Sequence, residues 1–133
     1  QMCIRDSPSA DRKKIAFQES YPNVLLKTDI SVLSRVLCNM IINALEATED
    51  NGIVKISVEH EGSFLSFLVW NSQEIPPEIA NRIFQRNFST KDQAGRGIGT
   101  FSMKLLGEKI LGGNISFTTS RLNGTIFKLS CPF

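Results

Sequence analysis

The sequence predicts an α+β domain, a two-layer α/β sandwich in which three helices cover one face of a mixed, mostly antiparallel sheet. Apolar residues recur at helical spacing between residues 30 and 48, which is typical of a long amphipathic helix. Residues 53–59 alternate in polarity and are followed across a turn by a second strand candidate at 64–70, and two more strand candidates lie on either side of a turn in 114–131, as is typical of β-hairpins. Since hairpins and amphipathic helices each leave one apolar face to be covered, their alternation favours a sheet packed against helices.

The elements of the first half follow from local chemistry. Two short strands are expected, and Thr28 and Asp29 can cap the long helix that follows. The Asp50-Asn51-Gly52 turn ends that helix, and Glu61-Gly62 joins the two strands of the first hairpin. The expected spans are strands at 14–18, 24–27, 53–59 and 64–70, and a helix at 30–48.

The second half combines two helices with one hairpin. Pro76 and Pro77 suit the first turn of a short helix that is expected to reach Phe84. A second helix is expected at 100–110, since it stops at a Gly112-Gly113 pair. The closing strands are expected at 114–120 and 125–131, around an Asn123-Gly124 turn.

Length and charge limit the organisation and the partners. A chain of 133 residues with 41% apolar content fits one domain, which we expect at residues 13–133. Residues 1–12 have no periodicity and are interpreted as a linker or an expression remnant. Fifteen basic and 13 acidic residues, dispersed along the chain, give a net charge of +2, which is too small to predict nucleic-acid binding.

The cysteines and the apolar runs bear on location. Cys3, Cys38 and Cys131 are widely spaced and odd in number, so neither a disulfide framework nor a zinc site is expected. No apolar run is judged long enough for a membrane span, and no secretory leader is recognised. We therefore expect a cytoplasmic domain without direct membrane contact, with any anchor of the parent protein lying outside this sequence.

Two motifs carry chemistry. Asn39 and Asn43 lie four residues apart, so both amides share one face of the long helix. Asparagine is unfavourable inside a helix, and these two side chains either bond to neighbouring backbone or offer neutral oxygen ligands to Mg²⁺. The stretch 95–100 alternates glycine with other residues before a helix, which suits either a flexible connector or a nest of N–H groups for phosphate.

Together these motifs resemble a known family. Residues 39–47 are similar to the asparagine box of histidine kinase ATP-binding domains, a superfamily shared with gyrase, Hsp90 and MutL. Residues 83–91 resemble the phenylalanine box of sensor histidine kinases, and residues 95–100 their second glycine box. The resemblance implies the Bergerat-type α/β sandwich, with ATP and Mg²⁺ as ligands, over about residues 13–133.

The resemblance also implies roles for single residues. Asn43 would be the magnesium ligand, Asn39 a second polar group near the phosphates, and Lys91 a lid cation at the terminal phosphate, so these three are the candidate catalytic residues. Core packing remains the alternative for Phe84 and Phe88. The candidate nucleotide-binding residues are Asn39, Asn43, Asn71, Ile75, Phe84, Phe88, Ser89, Thr90, Lys91, Gly95, Arg96, Gly97, Ile98, Gly99 and Thr100.

The box that would read adenine departs from the family pattern. Family members carry an aspartate and two glycines before an isoleucine, whereas residues 70–74 read Trp-Asn-Ser-Gln-Glu here. With a one-residue shift, Asn71 takes the place of the aspartate and offers a neutral carbonyl to the adenine amino group. Trp70 either stacks near the base or packs in the core.

The resemblance favours phosphoryl transfer over hydrolysis, because Asn39 stands where hydrolysing relatives carry a glutamate. The implied activity is that of the catalytic domain of a two-component sensor histidine kinase, which acts on a histidine of a separate dimerisation domain and serves a response regulator. His60 is expected to be a surface residue rather than the acceptor, so the domain alone is not expected to phosphorylate itself. The alternatives are a degenerate interaction domain that has lost ATP and a serine kinase resembling anti-sigma factors.

Overall fold

The computed structural model describes residues 13–85 and 96–133, except the side chains of residues 96–99. The described strands form one five-stranded sheet in the order β1-β2-β3-β5-β4. Strand β1 runs parallel to β2 and the other neighbours are antiparallel, so the predicted mixed sheet is confirmed. The strands are β1 (Lys14–Phe17), β2 (Ile53–Glu61), β3 (Phe64–Asn71), β4 (Asn114–Ser120) and β5 (Gly124–Pro132).

Three helices accompany the sheet within the described residues, and the predicted sandwich is confirmed. Helix α1 (Ile30–Ala47) and helix α3 (Arg96–Leu105) pack against each other, and α1 also contacts β3. Helix α2 is a single turn (Pro77–Ala80), and α3 continues into a π-helical segment, Leu106–Ile110. The core between helices and sheet is fully buried at the following residues: Val36, Met40, Ala44, Leu45, Val54, Met103 and Leu129.

Helix α1 begins and ends as its sequence predicts. Asp29 is the N-cap, and its carboxylate accepts a hydrogen bond from the N–H of Val32 at 3.1 Å. After the helix, Asn51 adopts a φ of 68° in the predicted turn. By length and composition α1 is apolar enough to cross a membrane, contrary to the sequence expectation, yet in this fold its apolar stripe forms the protein core.

Three element boundaries differ from prediction. Residues 24–27 form no strand, and Leu25 is 95% exposed, because the short β1 is followed directly by a connection to α1. Helix α2 stops at Ala80, since Arg82 and Gln85 donate to carbonyls only three residues back in tight turns. Helix α3 starts at Arg96 rather than Thr100, so residues predicted to precede the helix form its first turn.

One of the two described cysteines agrees with expectation and the other does not. Cys131 is a buried free thiol in β5, and burial raises the pKa of its thiol. Cys38 in α1 is disulfide-bonded, which the sequence did not predict, because a disulfide depends on sulfur positions in space rather than on spacing along the chain.

Candidate functional site

The two asparagines of α1 stand at the edge of its apolar stripe. Asn39 and Asn43 are each half-buried, while their neighbours Met40 and Ala44 are completely buried. Neither asparagine side chain makes a hydrogen bond to residues 13–85 or 100–133. The described part of the chain therefore does not support the interpretation that they bond to neighbouring backbone, and their role as metal or phosphate contacts stays a prediction.

Asn71 ends strand β3 on the face of the sheet that the helices cover. Its neighbour two residues earlier, Val69, belongs to the core, and alternate residues of a strand share a face. Asn71 is 2% exposed, and its Oδ1 accepts a hydrogen bond from the N–H of Gln73 at 2.9 Å. The fold thus buries an amide where the family resemblance expects a carboxylate.

Trp70 lies on the opposite face of the sheet. Its indole Nε1 donates to the carbonyl of Asn123 at 2.7 Å, and the Nζ of Lys55 lies 4.7 Å from its ring centroid. Neither the stacking interpretation nor the core interpretation of Trp70 is supported, because the ring lies on the face without helices.

Two threonines that the sequence analysis missed hold the loop after Asn71. Thr125 Oγ1 donates to the carbonyl of Gln73 at 2.6 Å, and Thr119 Oγ1 accepts from the N–H of Ile75 at 2.8 Å. The two hydroxyl oxygens are 2.7 Å apart. Thr125 is 1% exposed and pairs with Asn71 across the sheet, a relation that only the strand register reveals. Ile75 itself packs against the core.

Phe84 is a packing residue. Its ring lies 5.7 Å from that of Phe117 and 6.1 Å from that of Phe127, so core packing, the alternative kept for this residue, is what the structure shows. Phe88, Ser89, Thr90, Lys91 and Gly95 lie outside the described residues.

A cavity of about 390 Å³ lies beside Phe84, lined also by Phe101 and Lys104. The Nζ of Lys104 is 3.0 Å from a carboxylate oxygen of Glu108 and 5.3 Å from the Phe84 ring centroid. Burial raises the pKa of Glu108, but hydrogen bonds from Lys104 and from the N–H of Ile115 outweigh it, so the net pKa is lowered.

The glycine-rich segment is part of a helix rather than a loop before one. Gly97, Ile98 and Gly99 lie in the first turn of α3, and Thr100 follows them, 6% exposed. The first N–H groups of a helix have no acceptor within the helix. Glycines at these positions carry no side chain that would hinder a ligand from reaching the N–H groups. The helix start therefore places N–H groups that have no acceptor within the helix where the sequence predicted a nest, although by a different local geometry.

His60 and the acidic residues complete the polar inventory. His60 is exposed, as predicted, with its Nε2 2.8 Å from the carbonyl oxygen of Gly62. Among residues 13–85 and 96–133, no group of three or more His, Cys, Asp or Glu side chains is arranged to hold a metal ion.

The sequence matches one family model and two curated sensor proteins, as follows. A family model described as Histidine kinase-, DNA gyrase B-, and HSP90-like ATPase matches residues 28–133. The Probable C4-dicarboxylate sensor kinase of Halalkalibacterium halodurans is 31% identical over 114 residues, which cover 84% of this chain and 21% of that protein. Heme sensor protein HssS of Staphylococcus aureus is 26% identical over 126 residues, covering 93% and 27%. The chain thus spans only 21% and 27% of the lengths of these two curated relatives.

Solved structures agree with the family match. The catalytic domain of histidine kinase ThkA has a TM-score of 0.79 and 30% identity, covering 98% of this chain and 90% of that one. Full-length ShkA in complex with AMPPNP has a TM-score of 0.81 and 26% identity, covering 99% and 29%. ThkA in complex with response regulator protein TrrA has a TM-score of 0.69 and 30% identity, covering 90% and 33%.

Proposed function

We propose that this chain, which belongs to the family of histidine kinase-, DNA gyrase B- and HSP90-like ATPases, binds Mg-ATP and passes the γ-phosphoryl group to a histidine on a separate dimerisation domain. The family match and the relatives identify the chain as a histidine-kinase-type ATPase catalytic domain of a sensor kinase. Nucleotide binding and phosphoryl transfer by this chain are the proposal.

The state of Asn39 and Asn43 carries the proposal. Asparagine is unfavourable in a helix interior, and these two partly buried amides share one face of α1 without a hydrogen bond to residues 13–85 or 100–133. Amide oxygens are suitable donors for Mg²⁺, which keeps phosphate oxygens and waters among its other ligands. Asn43 would hold the ion, which would neutralise phosphate charge, and Asn39 would contact the phosphates.

The start of α3 supports the phosphate half of the site. The first N–H groups of α3 have no acceptor within the helix, and together with the positive end of the helix dipole they attract an anion. Gly97 and Gly99 carry no side chains that would shield this backbone. Transfer breaks the bond between the γ-phosphorus and the bridging oxygen and forms a phosphorus–nitrogen bond to the acceptor histidine, with ADP leaving. No carboxylate occupies position 39 to activate water, which favours transfer over hydrolysis.

The partners follow from the same assignment. We propose a histidine-bearing dimerisation domain of the same parent protein and a response regulator, as ThkA is crystallised with TrrA. His60 is exposed on a strand and is not proposed as the acceptor, so the domain by itself would not become labelled. The domain would act in the cytoplasm, with no nucleic acid and no direct membrane contact.

Calorimetric titration with the ATP analogue AMPPNP and Mg²⁺ tests the proposal. Saturable binding is expected, with at least a tenfold loss in Asn43→Ala, because the metal loses an amide ligand. Ser34→Ala, an exposed position of the same helix, is the matched control and should bind as the wild type does. In protein that circular dichroism shows to be folded, absence of saturable binding would refute the proposed Mg-ATP binding. Equal binding by Asn43→Ala would refute the proposed role of Asn43.

A degenerate interaction domain is the second candidate, and one observation favours it. The Asn71 carbonyl already accepts a hydrogen bond from Gln73, and Trp70 lies on the wrong face to stack on a base. Mixing the chain with its dimerisation domain and labelled ATP decides between the candidates. Phosphohistidine on the dimerisation domain excludes the degenerate reading, whereas a folded complex without label supports it.

A further inference from the structure

One face of the sheet is covered by no described helix. Val69 of β3 belongs to the core under α1, and successive residues of a strand point to opposite faces, so Leu68 and Trp70 lie on the other side. By the same alternation Ile126 of β5 lies there, beside the core residue Phe127. These three side chains are partly exposed and line a groove with a volume of about 390 Å³. The uncovered face therefore carries an apolar patch.

Two rows of side chains near opposite ends of the strands have the same makeup: a charged group on β2, an aromatic ring on β3 and an apolar side chain on β5. The strand register defines these rows as Lys55, Trp70 and Ile126 at one end, and Glu61, Phe64 and Pro132 at the other. Corresponding members are separated by an even number of residues, so both rows lie on the uncovered face. The rows match in their apolar groups and are opposite in charge.

A surface with two such rows is complementary to itself. A two-fold axis that crosses the strands would join two copies with their strands antiparallel, so that each row meets the other row of the second copy. Lys55 would then face Glu61, and Trp70 would face Phe64, each contact occurring twice. A two-fold axis along the strands would instead place each row on itself, which leaves Lys55 without an opposite charge in the second copy.

The side chain of Glu61 is fixed before any partner arrives. Its Oε1 accepts a hydrogen bond from the hydroxyl of Ser66 at 2.6 Å and lies 2.9 Å from the Nζ of Lys128. Hydrogen bonds from Ser66 and from Lys128 lower the pKa of Glu61, so the carboxylate is ionised at neutral pH. Its side chain is still 44% exposed, and a carboxylate offers about four acceptor sites, which leaves capacity for Lys55 of a second copy.

The size of the face limits the strength of association. Strands lie about 4.8 Å apart and rise about 3.4 Å per residue, so β2, β3, β5 and β4 present a face of roughly 20 by 24 Å. Two copies would bury on the order of 1,000 Å² in total, at the lower end for specific interfaces. A weak and reversible dimer is therefore expected.

We propose that the uncovered face joins two copies of this chain, with Lys55 paired to Glu61 and Trp70 packed on Phe64 across a two-fold axis. Sheets packed face to face lie about 10 Å apart, which accommodates one interdigitated layer of side chains. The partner is a second copy because the two rows complement each other in both charge and apolar groups. The interface lies on the side of the sheet away from α1, so it does not depend on Mg-ATP binding.

Sedimentation velocity at protein concentrations rising into the millimolar range tests the proposal. A monomer–dimer equilibrium is expected, and Lys55→Glu and Glu61→Lys should each weaken the dimer by at least about tenfold, because like charges then meet twice. An equimolar mixture of the two variants should recover the wild-type affinity, since both charge contacts of the mixed pair are attractive. Lys109→Glu, an exposed position on the helix side, is the matched control and should dimerise as the wild type does.

Fluorescence gives a second measurement, because Trp70 is the only tryptophan of the chain. Its emission should shift to shorter wavelength as the dimer forms, since the ring leaves water. A protein that stays monomeric overturns the proposal, as does a dimer that forms without this shift or that Lys55→Glu does not weaken. Failure of the two folded variants to associate when mixed overturns it too. Lys55 is exposed, so Lys55→Glu alone decides the question if Glu61→Lys does not fold.

Discussion

Replacing Gly124 by alanine should destabilise the domain more than the same change at any open glycine turn. Gly124 has a φ of +78°, and a Cβ there would lie 2.2 Å from the carbonyl oxygen of Asn71 and 3.0 Å from the Cα of Ser72. Both neighbours are backbone atoms, so no side-chain rotation relieves the contact. Either strand β5 or the end of strand β3 has to move.

Gly62 provides the matched control. It also has a positive φ, +61°, but nothing lies within 4 Å of a Cβ built on it. Gly62→Ala therefore carries only the cost of the left-handed backbone, about 1–2 kcal/mol. Gly124→Ala carries that cost and an overpacking cost of about 1–3 kcal/mol in addition.

Urea denaturation followed by circular dichroism measures the difference between the two variants. The free energy of unfolding should be lower for Gly124→Ala than for Gly62→Ala by about 1–3 kcal/mol, at an unchanged slope against urea. Equal free energies for the two variants would refute the reasoning, because the close approach of Gly124 to Asn71 would then contribute nothing.

Two further predictions concern the loop after β3 and the cap of α1. Thr125→Val should lower the free energy of unfolding by about 1–3 kcal/mol, because the carbonyl of Gln73 loses its hydrogen-bond donor. Thr118→Val, on the exposed face of β4, is the control and should change the free energy of unfolding little. Similar urea midpoints for the two variants would contradict this prediction. Hydrogen bonds from the N–H of Val32 and the hydroxyl of Ser31 lower the pKa of Asp29, so its stabilisation is present above its unfolded pKa and is lost as pH falls through its folded pKa. Asp29→Asn keeps the cap but should give a shallower acid-side decline of melting temperature, and an unchanged decline would show that the carboxylate contributes nothing.

The periodic elements were predictable because their causes are local. The apolar repeat of α1 and its Asp29 cap lie within one stretch of sequence, and so does the pairing of Asn39 with Asn43 on one face. The start of α3 was not predictable from local sequence. Glycines at 97 and 99 favour a turn by propensity, yet the first turn of a helix also tolerates them. The mismatch is small along the chain, yet it turns a predicted loop into a helix terminus.

Features that depend on the pairing register of the strands could not be predicted from the sequence. Whether Trp70 or Asn71 faces the helices depends on the strand's phase relative to the core, and the two possibilities differ by one residue. The same register brings Thr125 beside Asn71, although the two are far apart along the chain. Nothing in the spacing of the threonines indicates that one of them holds the carbonyl of Gln73.

Different elements position the asparagines of α1 and Asn71 of β3. Residues near Asn71 can therefore change without moving Asn39 or Asn43. Asn39 and Asn43 are positioned by α1, whose cap and apolar stripe are independent of strand β5. Asn71 is positioned by β3 together with Gly124 and Thr125 of β5. Because no hydrogen bond links the side chains of these two groups within the described residues, substitutions in 70–74 can alter contacts at the base while leaving the amides of α1 in place. A departure from the family pattern confined to one strand end is therefore compatible with the proposed metal and phosphate contacts of α1 and α3.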